Sequence, residues 1–191
     1  MKPLYILPLL LLLACKKGPA MADAKNDTIP TTTVQPEPAE SATVGLWDFN
    51  GDGLDDNNIT VNRTEGKGNP VEDGTPDSYT LMFNKIVPDL PIGCCEPQFM
   101  GEGDLDGDGA AELTVVQAPM NGCTYNLSIW SLKAGKWQRV FGPEMIPTGC
   151  EEIAPTDLNA MVVAENGTVY FYKTDFNDED FKKVKTKIQL K

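Results

Sequence analysis

The stretch Gly103-Asp104-Leu105-Asp106-Gly107-Asp108-Gly109-Ala110-Ala111-Glu112-Leu113-Thr114-Val115-Val116 sets the reading of the whole chain. Asp104, Asp106 and Asp108 alternate with small or apolar residues, so a tight turn brings their carboxylates to one side. Gly109, sixth in the count from Asp104, allows the left-handed backbone that such a turn needs. Glu112 adds an acid at the ninth position, and the β-branched run after it has the composition of a strand. The stretch therefore reads as an oxygen-lined loop running directly into a β-strand.

The pattern occurs again at Trp47-Asp48-Phe49-Asn50-Gly51-Asp52-Gly53-Leu54-Asp55-Asp56, with Asp48 and Asp104 standing 56 positions apart. A third segment, Thr156-Asp157-Leu158-Asn159-Ala160-Met161-Val162-Val163, reads like the same unit with its acidic loop deleted, Asp157 lying 53 positions after Asp104. The flanks agree, since Pro91-Ile92-Gly93-Cys94-Cys95-Glu96 recurs as Pro147-Thr148-Gly149-Cys150-Glu151. Each segment leads into a β-branched run (58–61, 113–116, 161–163) and then into an aromatic alternation (78–83, 124–130, 168–172). Periods of this size mark repeated supersecondary units. Turn pairs such as Ala134-Gly135 and Asn166-Gly167 point to antiparallel hairpins, and no segment shows a helical period. The prediction is an all-β fold of about three antiparallel, four-stranded, blade-like units packed face to face, at about 44–98, 99–154 and 155–191 of a repeat domain spanning 44–191. Closed propellers take four or more blades, so an incomplete propeller or a compact sandwich is expected.

The first loop offers Asp48, Asn50, Asp52, the backbone carbonyl of Leu54 and Asp56. The second offers Asp104, Asp106, Asp108, the carbonyl of Ala110 and Glu112. All-oxygen sets suit a hard cation; they disfavour zinc and copper, and Mg²⁺ dehydrates too reluctantly to fill such a cage. Without an ion the crowded carboxylates repel one another. An EF-hand or dockerin loop would close with an acid at position 12 and continue as a helix, but Ile59 or Val115 stands there inside a β-branched run. The segments resemble instead the calcium loop of the FG-GAP and VCBS repeat family, over about 44–62 and 99–132 and more weakly over 155–173. That resemblance implies β-propeller-type blades and Ca²⁺, two ions in this chain. It implies no single activity, because the family serves adhesion, ligand binding and structural roles. With four acids against three acids and Asn50, the second loop is expected to bind more tightly. Asp175-Phe176-Asn177-Asp178-Glu179-Asp180 lacks the sixth-position glycine and reads as a hairpin turn.

Composition narrows the field. The chain has 16 Lys+Arg against 28 Asp+Glu, a formal net charge of −12, and no His. A surface this acidic argues against a nucleic-acid partner, which needs a basic face. Without His there is no His-based triad, His general base or His-ligated zinc.

At the N-terminus, Lys2 precedes the apolar run Leu4 to Ala14, too short to span a bilayer but of signal-peptide length. Leu12-Leu13-Ala14-Cys15 resembles the lipobox of bacterial lipoproteins. The resemblance implies a signal peptide at 1–14, acylation of Cys15 and a membrane anchor. An ordinary secreted signal cut after Ala22 would place Lys16 and Lys17 in a cleavage region that is normally uncharged. Lys16 stands where inner-membrane retention uses Asp, so the expected address is the cell envelope, at the outer membrane. Residues 15–43, rich in Pro, Thr, Ala and charge, cannot bury enough surface to order themselves and read as a tether.

Cys94, Cys95, Cys123 and Cys150 form an even, exported set, which implies two disulfides with three connectivities open. A bond between neighbours strains the backbone, so Cys94 and Cys95 are each expected to pair with Cys123 or Cys150. Trp47, Trp130, Trp137, Tyr79, Tyr125, Tyr170 and Tyr172 occupy mostly equivalent strand positions and read as packing residues, Trp137 least clearly. The alternating Lys182–Lys187 stretch reads as an edge strand guarded by lysine. The reading that follows is a lipid-anchored, calcium-stabilised, non-catalytic binding or structural module with a protein or glycan as ligand. The alternatives are a carbohydrate-active enzyme with two carboxylates about 5–10 Å apart, or a subunit of an envelope complex joined by strand addition.

Overall fold

Period-two alternation and glycine turns produce ten strands among the described residues, and every pairing joins strands consecutive in the chain. The computed structural model describes residues 46–191; the segments read as signal peptide (1–14), acylation site (Cys15) and tether (15–43) lie outside the described residues. The first sheet orders β1 (Thr60–Thr64), β2 (Ser78–Met82) and β3 (Leu90–Gly93). The second orders β4 (Pro97–Gly103), β5 (Glu112–Gln117), β6 (Thr124–Lys133) and β7 (Lys136–Pro147). The third orders β10 (Lys183–Lys187), β9 (Thr168–Thr174) and β8 (Val162–Glu165). All pairings are antiparallel. Two hairpins close on left-handed residue pairs, Ala134 (φ 50°) with Gly135 (φ 72°) and Asn166 (φ 50°) with Gly167 (φ 72°). Both central residues at positive φ match the right-handed twist of the flanking strands.

The middle sheet is the common wall of two cores. Leu113 and Val115 of β5 face one cluster with Phe49, Leu81, Leu90 and Ala111. Val116, one position on, faces the other with Leu127, Ile129, Val140, Val162, Val169 and Phe171. Alternation along β5 thus packs the first sheet on one face and the third on the other.

Three antiparallel sheets form, as the repeats predict, and none closes into a barrel. Only the middle sheet has four strands; the outer two have three, which corrects the expected four per unit. Ahead of the third sheet, where the repeat would supply a loop, the chain winds into α1 (Pro155–Asn159), a five-residue helix that hairpin periodicity did not anticipate. Pro155 opens it with φ already helical, and Leu158 seats it in the core. The hairpin reading of 175–180 holds, since Thr174 pairs Lys183 across it.

The cysteine pairing differs from expectation: Cys94 bonds Cys95, and Cys123 bonds Cys150. The β6–β7 register explains this. Thr124 lies opposite Pro147 and the Thr148 N–H donates to the Cys123 carbonyl at 2.9 Å, so the next turn lays Cys150 on Cys123 with their Cα atoms 4.2 Å apart. Cys94 and Cys95 sit between β3 and β4, held there by the Gln117 amide on the Ile92 and Cys94 carbonyls, and bond to each other. Trp137 proves to be core-facing: its ring meets Phe49 and Phe83, and its Nε1–H donates to the Pro88 carbonyl at 2.7 Å.

Candidate metal centre

The two acidic loops share four backbone-to-side-chain hydrogen bonds at the 56-residue offset, and differ at the first Asp, whose Oδ1 accepts from the Asp52 N–H in one loop and from the Gly107 N–H in the other. The Gly53 N–H donates to Asp48 Oδ2 at 2.7 Å, and the Gly109 N–H to Asp104 Oδ2 at 3.0 Å. The Phe49 N–H donates to Asp56 Oδ2 at 3.1 Å, and the Leu105 N–H to Glu112 Oε2 at 2.7 Å. The Leu54 and Ala110 N–H groups, whose residues were expected to lend carbonyls, donate to Asp52 and Asp108 at 2.8 and 3.0 Å. The Asp52 and Asp108 N–H groups donate to Asn50 and Asp106 at 2.9 and 3.2 Å. Gly51 (φ 72°) and Gly53 (φ 83°) are matched by Gly107 (φ 82°) and Gly109 (φ 92°), a backbone that side-chained residues resist. The loops also touch, with the Ala111 N–H donating to the Asp48 carbonyl at 2.7 Å.

In the second loop Asp104, Asp106 and Asp108 bring carboxylate oxygens within 4.8 Å of one another, a group able to hold a metal ion. The first loop has Asn50 where the second has Asp106, which leaves Asp48 and Asp52 as the carboxylates on that side. The ninth-position acids lie beneath the loops. Asp56 is 2 % exposed, and its other oxygen accepts the Asn84 amide at 2.5 Å. Glu112 is fully buried, and its Oε1 has no hydrogen-bond partner. Burial, reinforced by Asp106 and Asp108, pushes the Glu112 carboxyl up to about 7 against the Leu105 N–H and nearby Ser131, which favour the charged form. Three converging carboxylates, with a buried and partnerless Glu112 oxygen that feels the charge of two of them, are a donor set that fits a hard cation.

Lys133 occupies the mouth of this group. Its Nζ lies 2.5 Å from Asp106 Oδ2 and 3.4 Å from Asp108 Oδ2, and the Asp106 bond raises its pKa. Lys133 is 21 positions beyond Glu112, outside any spacing pattern, and the β5–β6 pairing, Leu113 opposite Trp130, brings it to Asp106 and Asp108.

Glu102 likewise carries no sequence signal. It sits at the β4 bulge, between the Gly101↔Leu113 and Gly103↔Glu112 pairings. Its Oε1 is buried without a partner, and desolvation pushes its carboxyl from 4.5 up to about 7, the neighbouring Thr114 hydroxyl offsetting only part of this. An unfolded-chain carboxyl ionises near 4.5, whereas this one resists until about pH 7. Folding is therefore penalised above pH 7, and the penalty fades as pH falls towards 4.5. Glu102→Gln is expected to raise stability by about 3 kcal/mol at pH 8.5 and to leave it unchanged at pH 4.5, as read by thermal melts at the two pH values. Equal melts at both would contradict this. Among surface cavities of 270–430 Å³, one of about 340 Å³ is lined by Leu105 and Asp106 of the second loop, and neither Glu102 nor Glu112 lines any of the four.

A scan against protein-family models finds no match, and searches of curated proteins and of solved structures return none either.

Proposed function

We propose that this chain is a lipid-anchored protein of the bacterial cell envelope, whose FG-GAP/VCBS-like repeats form a calcium-stabilised, non-catalytic module that binds a protein or glycan or holds structure. The carrying observation is the second loop. Three carboxylates converge in a loop whose ninth residue, Glu112, has a buried and partnerless oxygen, and several of the loop's backbone hydrogen bonds recur 56 positions earlier. In this reading Asp104, Asp106, Asp108 and Glu112 hold one ion, and Asp48, Asn50, Asp52 and Asp56 a second. Bound calcium offsets the mutual repulsion of the carboxylates. The protein's own part is to pre-shape the loop: Gly107 and Gly109 donate backbone N–H groups to the two oxygens of Asp104 and fix its rotamer.

Those acids are then committed to holding strands together, which supports a binding or structural role over hydrolysis. The lipobox-like Leu12-Leu13-Ala14-Cys15 supports the membrane anchor, and Lys16 the outer-membrane address. Metabolic labelling with a clickable fatty acid tests this part. Wild type is expected to take the label and fractionate with membranes, while Cys15→Ala is expected to lose the label. A labelled Cys15→Ala protein would overturn the lipoprotein reading.

A further inference from the structure

We propose that Lys133 is a tethered competitor for the cation of the second loop, so that this loop exchanges its ion against an ammonium supplied by the same chain. The inference rests on the calcium reading of that loop and concerns how the site is regulated. The observation is geometric. Lys133 closes β6 one residue before the Ala134-Gly135 turn, and the strand delivers its Nζ to Asp106 and Asp108 together, at 2.5 and 3.4 Å. These are two of the three carboxylates that converge in the loop. An ammonium bridging two ligand carboxylates stands where a metal ion would neutralise them, and both cannot hold the same oxygens at close range. Lys136 is the residue opposite Lys133 in the hairpin. Its like charge gives the displaced ammonium no competing partner across the turn.

The first loop has no such device: among the described residues no lysine or arginine forms an ion pair with Asp48, Asp52 or Asp56. Once Lys133 is counted, the four acids of the second loop carry the same net charge as the three of the first. The extra carboxylate at Asp106 therefore does not make the second loop the tighter site. It is held by the lysine until calcium displaces it. Two loops of one pattern thus divide their work, the first holding its ion continuously and the second responding to calcium concentration. The lysine keeps the second loop folded when calcium is scarce.

The test is calorimetric titration of calcium chloride into the full chain, wild type against Lys133→Gln, with melts in EDTA and in millimolar calcium. Lys133→Gln is expected to tighten one of the two calcium-binding events by roughly tenfold or more. It is also expected to melt below wild type in EDTA and to gain more from calcium, a crossing pattern that loss of an ordinary surface ion pair would not give. Lys133→Arg, which keeps the charge, should behave as wild type. Calcium binding by wild type with unchanged or weaker affinity in Lys133→Gln would overturn the competitor while leaving the calcium site standing. No calcium binding by either protein would sink both.

Discussion

Phe49→Ala is expected to cost the fold about 3–5 kcal/mol, the usual range for emptying a large aromatic site in a core. Phe49 is the second residue of the first acidic loop and is fully buried. Its ring meets Phe83 edge-on at 5.7 Å and Trp137 at 5.6 Å, so one side chain joins the loop, the first sheet and the middle sheet. Its N–H also ends on the buried Asp56 carboxylate. Truncation leaves a void between sheets whose backbones are fixed by ladder hydrogen bonds and cannot collapse into it. For a domain of this size the loss corresponds to a fall in Tm of roughly 10 °C, measurable by circular dichroism. A change within about 2 °C would mean that the two sheets do not depend on this contact.

Asp104→Asn combined with Asp108→Asn is expected to abolish one site's share of calcium stabilisation. Asparagine keeps a side-chain oxygen for the Gly107, Gly109 and Ala110 N–H groups, so the turn is retained while two charges are lost. A site at a hundredfold excess of ion over Kd contributes about 2.7 kcal/mol, or roughly 5–10 °C in Tm. In EDTA the same double variant should melt at or above wild type, because two mutually repelling carboxylates are gone. That opposite sign in the two media separates loss of an ion from loss of structure. A double variant that kept the full calcium response would remove the second loop from the account.

Much of the architecture was legible because it rests on local signals. Alternation in Thr124–Lys133 and Thr168–Thr174 and the turn pairs at 134–135 and 166–167 define hairpins without reference to the rest of the chain. The 56-position offset between Asp48 and Asp104 predicted equivalent loops, which share several backbone hydrogen bonds. What was not legible depended on contacts distant in sequence. The disulfide pairing followed from the β6–β7 register, which a spacing argument does not contain. Lys133 became part of the acidic site through the β5–β6 ladder, and Glu102 became a half-buried acid with one buried oxygen through a bulge that no residue type announces. The helix at Pro155–Asn159 was missed because five residues are too few to show a 3.6-residue period.

The central claim, that the acidic loops are calcium sites that hold the repeats together, is tested most directly by melting the full chain in EDTA, in millimolar Mg²⁺ and in millimolar Ca²⁺. The account predicts a rise of roughly 10 °C or more in calcium, from two sites each worth about 2.7 kcal/mol, with little or no rise in magnesium, which dehydrates reluctantly. Coincident melts in all three media would contradict it.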